Sequence, residues 1–199
     1  MGWLAIDPGT RCGWAYYRKG ANRVETGTWR LGGIKATKGE RYHQLLKNLI
    51  AFFATREVTG IAIEGPALGR TGSSASHSMS EAWVPIVSLF CCMKGLPEPT
   101  IAAIPSWRAA FLGYGQLSKA LREKLTTEKA RREHWKSATI ERCQQRGNHP
   151  ENDEEADAIG ILFWAVNGGD KANAKRAAIK RQKSLDKRRQ TKMDLQVSA

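Results

Sequence analysis

Over the first thirty positions, apolar and polar residues change places in short blocks that glycines interrupt. "WLAIDPG", "GWAYYRKG" and "RVETGTWRLG" have the Val, Ile, Trp, Tyr and Thr content of strands, punctuated by Gly9, Gly13, Gly20, Gly27 and Gly32. Links this short predict an antiparallel meander over residues 3–31. The period then becomes helical: in "TKGERYHQLLKNLIAFFATRE", Leu45, Leu46, Leu49, Ile50 and Phe53 recur at the spacing of one helix face. Thr37, with Glu40 three residues on, is a capping-box start. "VTGIAIEGP" is a short apolar run bounded by glycines and predicts a buried strand. The helix that separates it from the meander implies a parallel neighbour to the first strand. The polar "ALGRTGSSASHS" reads as a loop, followed by an apolar helix over about 79–93 that Pro85 interrupts. "TIAAIPSW" predicts a further strand, residues 118–145 a charged helix, and "RGNHPEN" a loop. "DEEADAIGILFWAV" is the last patterned helix, with Ile159, Leu162, Phe163 and Val166 expected on its packing side.

Beyond Gly168 the pattern stops. Between Lys171 and Lys192 stand ten basic residues and a single acid, Asp186, the signature of a tail or solvated helix. The chain therefore divides into a patterned domain, residues 1–167, and a basic C-terminal extension, residues 168–199. Over 199 residues, 32 Lys and Arg against 19 Asp and Glu leave a formal charge of +13, which points to a polyanionic partner: nucleic acid or an anionic membrane surface. A chain of this length buries roughly 70% of its unfolded surface, enough to fold without disulfides or a structural metal. Cys12, Cys91, Cys92 and Cys143 form no CxxC pair and have no His at zinc spacing. They read as reduced thiols of a cytoplasmic protein, Cys91 and Cys92 as small buried apolar residues. Apolar runs near residues 83–93 and 159–166 fall short of the roughly 20 residues that span a bilayer, so no membrane-spanning segment is expected, and nucleic acid rather than a membrane is the expected partner. Asp7 interrupts the one N-terminal apolar stretch, against a signal peptide.

Asp7 closes the first predicted strand, and Glu64 closes its parallel neighbour. Both carboxylates would then emerge side by side at one sheet edge. A third acidic group opens the last helix, where Asp153 and Asp157 are four apart and Glu154 and Asp157 three apart, so that either pair shares a face. Four carboxylates in one place repel one another and raise each other's pKa values unless cations enter. Magnesium and manganese suit hard oxygen ligands. Two such ions about 4 Å apart activate a water and stabilise the leaving oxygen in phosphodiester cleavage. Taken singly, each acid has a plainer reading: Asp7 as a turn former, Glu64 as a loop charge, "DEEAD" as a helix start. All three plain readings must hold at once to replace one shared site.

"AIDPGT", "IAIEGP" and "EADAIGIL", in this order along strands, helix, strand, helix, strand and helices, resemble the ribonuclease H-like nucleases. Within that superfamily the chain is most similar to the RuvC-type Holliday junction resolvases, phage-encoded versions included. The resemblance spans residues 3–166 and leaves out the basic extension. It implies an α/β ribonuclease H-like fold, a mixed five-stranded sheet with helices on both faces. It also implies metal-dependent cleavage of branched DNA that leaves 5′-phosphates, with Asp7, Glu64 and Asp157 as catalytic ligands of two magnesium ions and manganese as a substitute. The fourth catalytic and metal ligand is expected to be Asp153, with Glu154 as the alternative. The bacterial spacing of three selects Glu154, whereas Asp153 has the shorter, more rigid side chain at the positive end of the helix. A four-way junction has two-fold symmetry and takes paired cuts, so a homodimer is implied, with the apolar helix over 82–93 as one surface for it. Lys119 and Lys129 match positions where resolvases carry basic residues near the scissile phosphate.

Other basic residues follow from charge alone. Arg131 and Arg132 in the charged helix, and Lys180, Arg181, Arg188 and Arg189 in the extension, are candidates for phosphate contact. His77, His134 and His149 read as incidental surface, Leu68 as cover for its own loop, and most tryptophans as core. Three rivals remain: a nuclease for flaps, forks or structured RNA; a non-catalytic basic binding module; and an actin-like ATPase or sugar kinase with "DPGT" as its phosphate loop. The last lacks a second domain of similar type and the later glycine-rich motif.

Overall fold

The computed structural model describes residues 1–65, 74–169 and 171, and over 74–81 the helical backbone alone. Leu68, the side chain of His77, and Lys180, Arg181, Arg188 and Arg189 lie outside the described residues. The meander forms as the glycine punctuation predicts: β1 (Gly2–Asp7), β2 (Arg11–Arg18) and β3 (Glu25–Arg30) pair antiparallel in sequence. Helix α1 (Lys38–Thr55) follows, and its capping box is present in full, with Thr37 and Glu40 satisfying each other's backbone N–H groups. It leads to β4 (Gly60–Glu64), which pairs parallel to β1 with Ile6 opposite Ile63. After α2 (Ser74–Met93), β5 (Thr100–Ala102) pairs parallel to β4, completing a five-stranded mixed sheet in the order β3-β2-β1-β4-β5. Helices α3 (Ile104–Leu112), α4 (Lys119–Lys124), α5 (Glu128–Gln145) and α6 (Asp153–Val166) end the described chain.

Several expectations are corrected. The predicted strand "TIAAIPSW" is three residues of β5; Pro105 in the first turn and Gly113 in the left-handed C-cap make the remainder the start of α3. The charged helix over 118–145 is two helices, because Ser118 and Thr127 each cap a new N-terminus with a side-chain hydrogen bond. Helix α2 begins at Ser74, inside the expected loop. On α1 the fully buried positions are Arg41, Leu45, Leu49 and Phe52, whereas Ile50 is exposed. Cys92 is exposed too, while Cys12, Cys91 and Cys143 are buried, and all four thiols are free.

Strand periodicity sorts the sheet's two faces. Leu4, Ile6, Cys12, Tyr16, Ile61 and Ile63 join one core with Leu45, Leu49 and Phe52 of α1 and Trp83, Val87 and Phe90 of α2. Ala5, Ala15, Ala62 and Ala102 face the other way, onto Trp107 and Phe111 of α3 and the buried residues of α6. Small side chains let α6 lie close, and a Cβ on Gly13 of β2 would collide with the backbone carbonyl of Glu154. Enclosed by sheet, α3 and α5, α6 is buried on nearly every side, including Ala158, Ile161 and Trp164, which the amphipathic reading left out. Val166, expected to pack, is exposed. No helix among the described residues is long and apolar enough to cross a membrane.

Candidate active site

Asp7 stands two residues beyond Ala5, and Glu64 two beyond Ala62, so both carboxylates share the face that α6 covers. The β1–β4 register ends at Ile6 opposite Ile63, which places Asp7 and Glu64 next to each other at the following step. The opening of α6 is set by Asn152, whose side chain accepts from the Glu155 backbone N–H at 2.9 Å. The three acids after it then diverge, as successive helix positions must. Asp153 meets Lys136 of α5, with Nζ to Oδ2 at 2.9 Å. Glu154 meets Arg11 of β2 at 3.3 Å. Glu155 is buried and accepts from the hydroxyls of Thr26 and Thr28 on β3, at 3.0 and 3.2 Å. It moors the helix to the sheet. One turn on, Asp157 has Arg108 of α3 at 3.9 Å.

These acids share one electrostatic environment. Burial raises the pKa of Asp7 well above the ordinary carboxyl range, and the charges of Glu64, Asp157, Glu154 and Asp153 push it further. Asp157 is raised to about 7, first by burial and then by Glu64, against the pull of Arg108. Burial raises Glu64 as well, opposed by a 2.8 Å hydrogen bond from the Trp107 indole N–H, by Arg108 and by its interaction with the neighbouring Asp7 carboxyl. Asp153 goes the other way: Lys136 holds it below the usual range despite its partial burial.

Proximity stops short of a closed ligand set. Among the described residues, no three His, Cys, Asp or Glu side chains stand as a metal-binding group. Glu64, Asp153, Glu154 and Asp157 each have a protein donor or cation beside them instead, which offsets part of their mutual repulsion. The donor chemistry nevertheless fits hard divalent cations: the oxygens of Asp7, Glu64 and Asp157 come from three elements, and Glu154 Oε2 is buried without a hydrogen-bond partner.

The remaining sequence candidates are dispersed. Lys119 is exposed and pairs with Glu123, Lys129 is exposed, and Arg132 pairs with Glu128 at 3.0 Å. Arg131 donates through Nε to the Leu125 carbonyl, tying α5 to the end of α4. His149 lines a polar cleft with Arg11, Arg30 and Glu151 beside the α6 N-terminus. His134 contacts the Tyr114 hydroxyl. Trp107, Arg108, Arg11 and Lys136, which orient the acids, were not singled out from sequence. The local signal for Trp107 and Arg108 was Pro105 followed by Gly113, which marks a helix immediately after β5.

No family model matches the chain, and no curated protein matches it in sequence. Among solved structures, it is similar to RuvC of Thermus thermophilus at 17% identity, with a TM-score of 0.58 over 84% of this chain and 97% of that one. A second match is T. thermophilus RuvC in complex with a Holliday junction substrate, at 17% identity and a TM-score of 0.54 over 82% of this chain and 91% of that one. At that identity the likeness establishes the fold, a ribonuclease H-like α/β domain with a mixed five-stranded sheet.

Proposed function

We propose that the protein is a divalent-metal-dependent endonuclease that cuts branched DNA, with the four-way junction as its substrate. One observation carries this reading. Asp7, Glu64 and Asp157, from β1, β4 and α6, are buried together with raised pKa values, and the charge of Glu64 adds to the effect of burial at both Asp7 and Asp157, in a chain of net charge +13. The RuvC–junction complex supplies the substrate class, by similarity of fold.

In this reading Asp7, Glu64 and Asp157 hold two magnesium ions, or manganese in their place. The ions supply nucleophile activation and stabilisation of the leaving oxygen. Glu154 joins them in preference to Asp153, because its Oε2 is buried without a partner whereas Asp153 is engaged by Lys136. Trp107 fixes the orientation of Glu64, and Arg108 sets a guanidinium beside Asp157 where a phosphate would enter. Lys129, the outward face of α5 and the basic extension hold the DNA backbone. Two copies deliver the paired cuts, and the outward side of α2, where Leu89 and Met93 are exposed, is the surface for their contact.

The test is cleavage of a synthetic four-way junction with magnesium, comparing the parent with Asp7→Asn. Cutting should be lost and junction binding kept. Equal cutting by both proteins would overturn the reading. Three-way, flap and uninterrupted duplex substrates run alongside rank the junction against the flap and fork alternatives.

A further inference from the structure

An aromatic shelf adjoins the acidic site and takes no part in it. The Tyr114 ring stacks on Trp135 of α5 with centroids 5.3 Å apart and planes 28° apart, and His134 meets the same indole edge-on at 5.8 Å. The Arg108 guanidinium carbon lies 4.6 Å from the centre of the Trp135 ring. That same guanidinium reaches Asp157, so a single side chain joins shelf to acids. Arg108 Nε is buried with no hydrogen-bond partner, a donor left over beside the aromatic rings.

The shelf is not core. Tyr114 is 37% exposed, and Trp135 and His134 are half-buried. Nor does the tyrosine set the course of its loop. Gly113 takes the left-handed C-cap of α3 (φ 92°), and a Cβ on Gly115 would collide with the Pro105 carbonyl, so the glycines direct the turn that carries Tyr114 back over α5. A wet aromatic face beside a cation and a phosphodiester-cutting centre matches how proteins hold unpaired nucleotides, with a ring under the base and positive charge on the backbone. Paired bases in a continuous duplex keep their faces covered by their neighbours and offer nothing to stack.

We infer that Tyr114, backed by Trp135 and His134, is a stacking platform for a nucleobase unstacked next to the cleaved phosphate, a site that selects distorted DNA over continuous duplex. This rests on the nuclease reading above for the position of the cut, but binding can be read without cutting.

The experiment uses the full chain in EDTA, with a four-way junction carrying 2-aminopurine at the crossover and a continuous duplex of the same sequence. Tyr114→Ala should weaken junction binding by about tenfold, leave duplex affinity unchanged and abolish the change in 2-aminopurine fluorescence. Tyr114→Phe, which keeps the ring, should behave as the parent. The salt dependence of binding should keep its slope in Tyr114→Ala, because no phosphate contact is removed. Equal weakening for junction and duplex, or no weakening for either, with an unchanged melting temperature, overturns the inference. Cutting of the same junction by the parent in magnesium is scored separately, so failure of the nuclease reading is distinguishable from failure of the shelf.

Discussion

The sheet's two faces are packed in opposite ways from the same strands. Towards α1 and α2, β1 and β4 present Leu4, Ile6, Ile61 and Ile63, and the gap is filled by Trp83, Phe90 and Phe52. Towards α6 they present Ala5 and Ala62, and the helix comes down until its first turn rests on Gly13. The first face holds the fold together through buried apolar volume. The second gives up volume for closeness, which lets Asp157 of a helix reach the field of Asp7 and Glu64 on two strands. On the proposed reading, stability and chemistry are thus divided between alternate residues of single strands. Leu4 and Ala5 are neighbours with unlike tasks.

The widest gap between the faces should appear when that pair is altered. Leu4→Ala removes fully buried volume and is expected to cost about 2–5 kcal/mol in urea unfolding. At temperatures where the variant remains folded, its magnesium-dependent cutting should match the parent's. Loss of cutting in a folded Leu4→Ala protein would show that the faces are not separable.

Charge on the α6 face carries a pH signature that the other face lacks. Burial and mutual repulsion favour the protonated forms of Asp7 and Asp157 in the folded chain. The folded state therefore binds more protons than the unfolded state between the ordinary carboxyl pKa of about 4 and about 7. Without metal, stability falls as pH rises through that window and stays low above it. Asp157→Asn should stabilise the metal-free protein by roughly 1–3 kcal/mol near pH 8 and by little near pH 4. Magnesium should raise the melting temperature of the parent above pH 7 and do so far less for the variant. A parent whose melting temperature climbs steadily from pH 4 to about pH 8 without metal would contradict this.

Overpacking the close face sharpens the comparison from the other side. Ala62→Leu should cost roughly 1–3 kcal/mol, less than Leu4→Ala, and should abolish cutting by lifting α6 from the strand ends. The smallest effect belongs to the pair at the mouth of the site. Arg11 is 53% exposed at its ion pair with Glu154, so Arg11→Met should change stability by less than about 1 kcal/mol. Thermal melts of the two variants separate these effects.

Local signals carried much of this into the sequence. Glycine punctuation marked the meander, Thr37 and Glu40 marked the start of α1, and the isolated charges of Asp7 and Glu64 at strand ends marked the candidate site. Helix α3 was missed because "TIAAIPSW" has strand composition, and only the proline and the distant Gly113 turn it into a helix. The acidic run "DEEAD" was legible as a group but not by member. Glu155 proved an anchor to β3, which depends on two threonines more than a hundred residues away in the chain.

What the chain determines by itself is what nearest neighbours and short periods determine: which segments extend, which coil, where they begin, and which positions alternate inward. Helix faces were less secure, as exposed Ile50 and nearly enclosed α6 illustrate. Tertiary structure decided which donors hold each acid: Trp107 on Glu64, Arg108 beside Asp157, Lys136 on Asp153 and Arg11 on Glu154. A carboxylate's ionisation depends on the burial and charges around it, and those come from elements that only folding brings into contact.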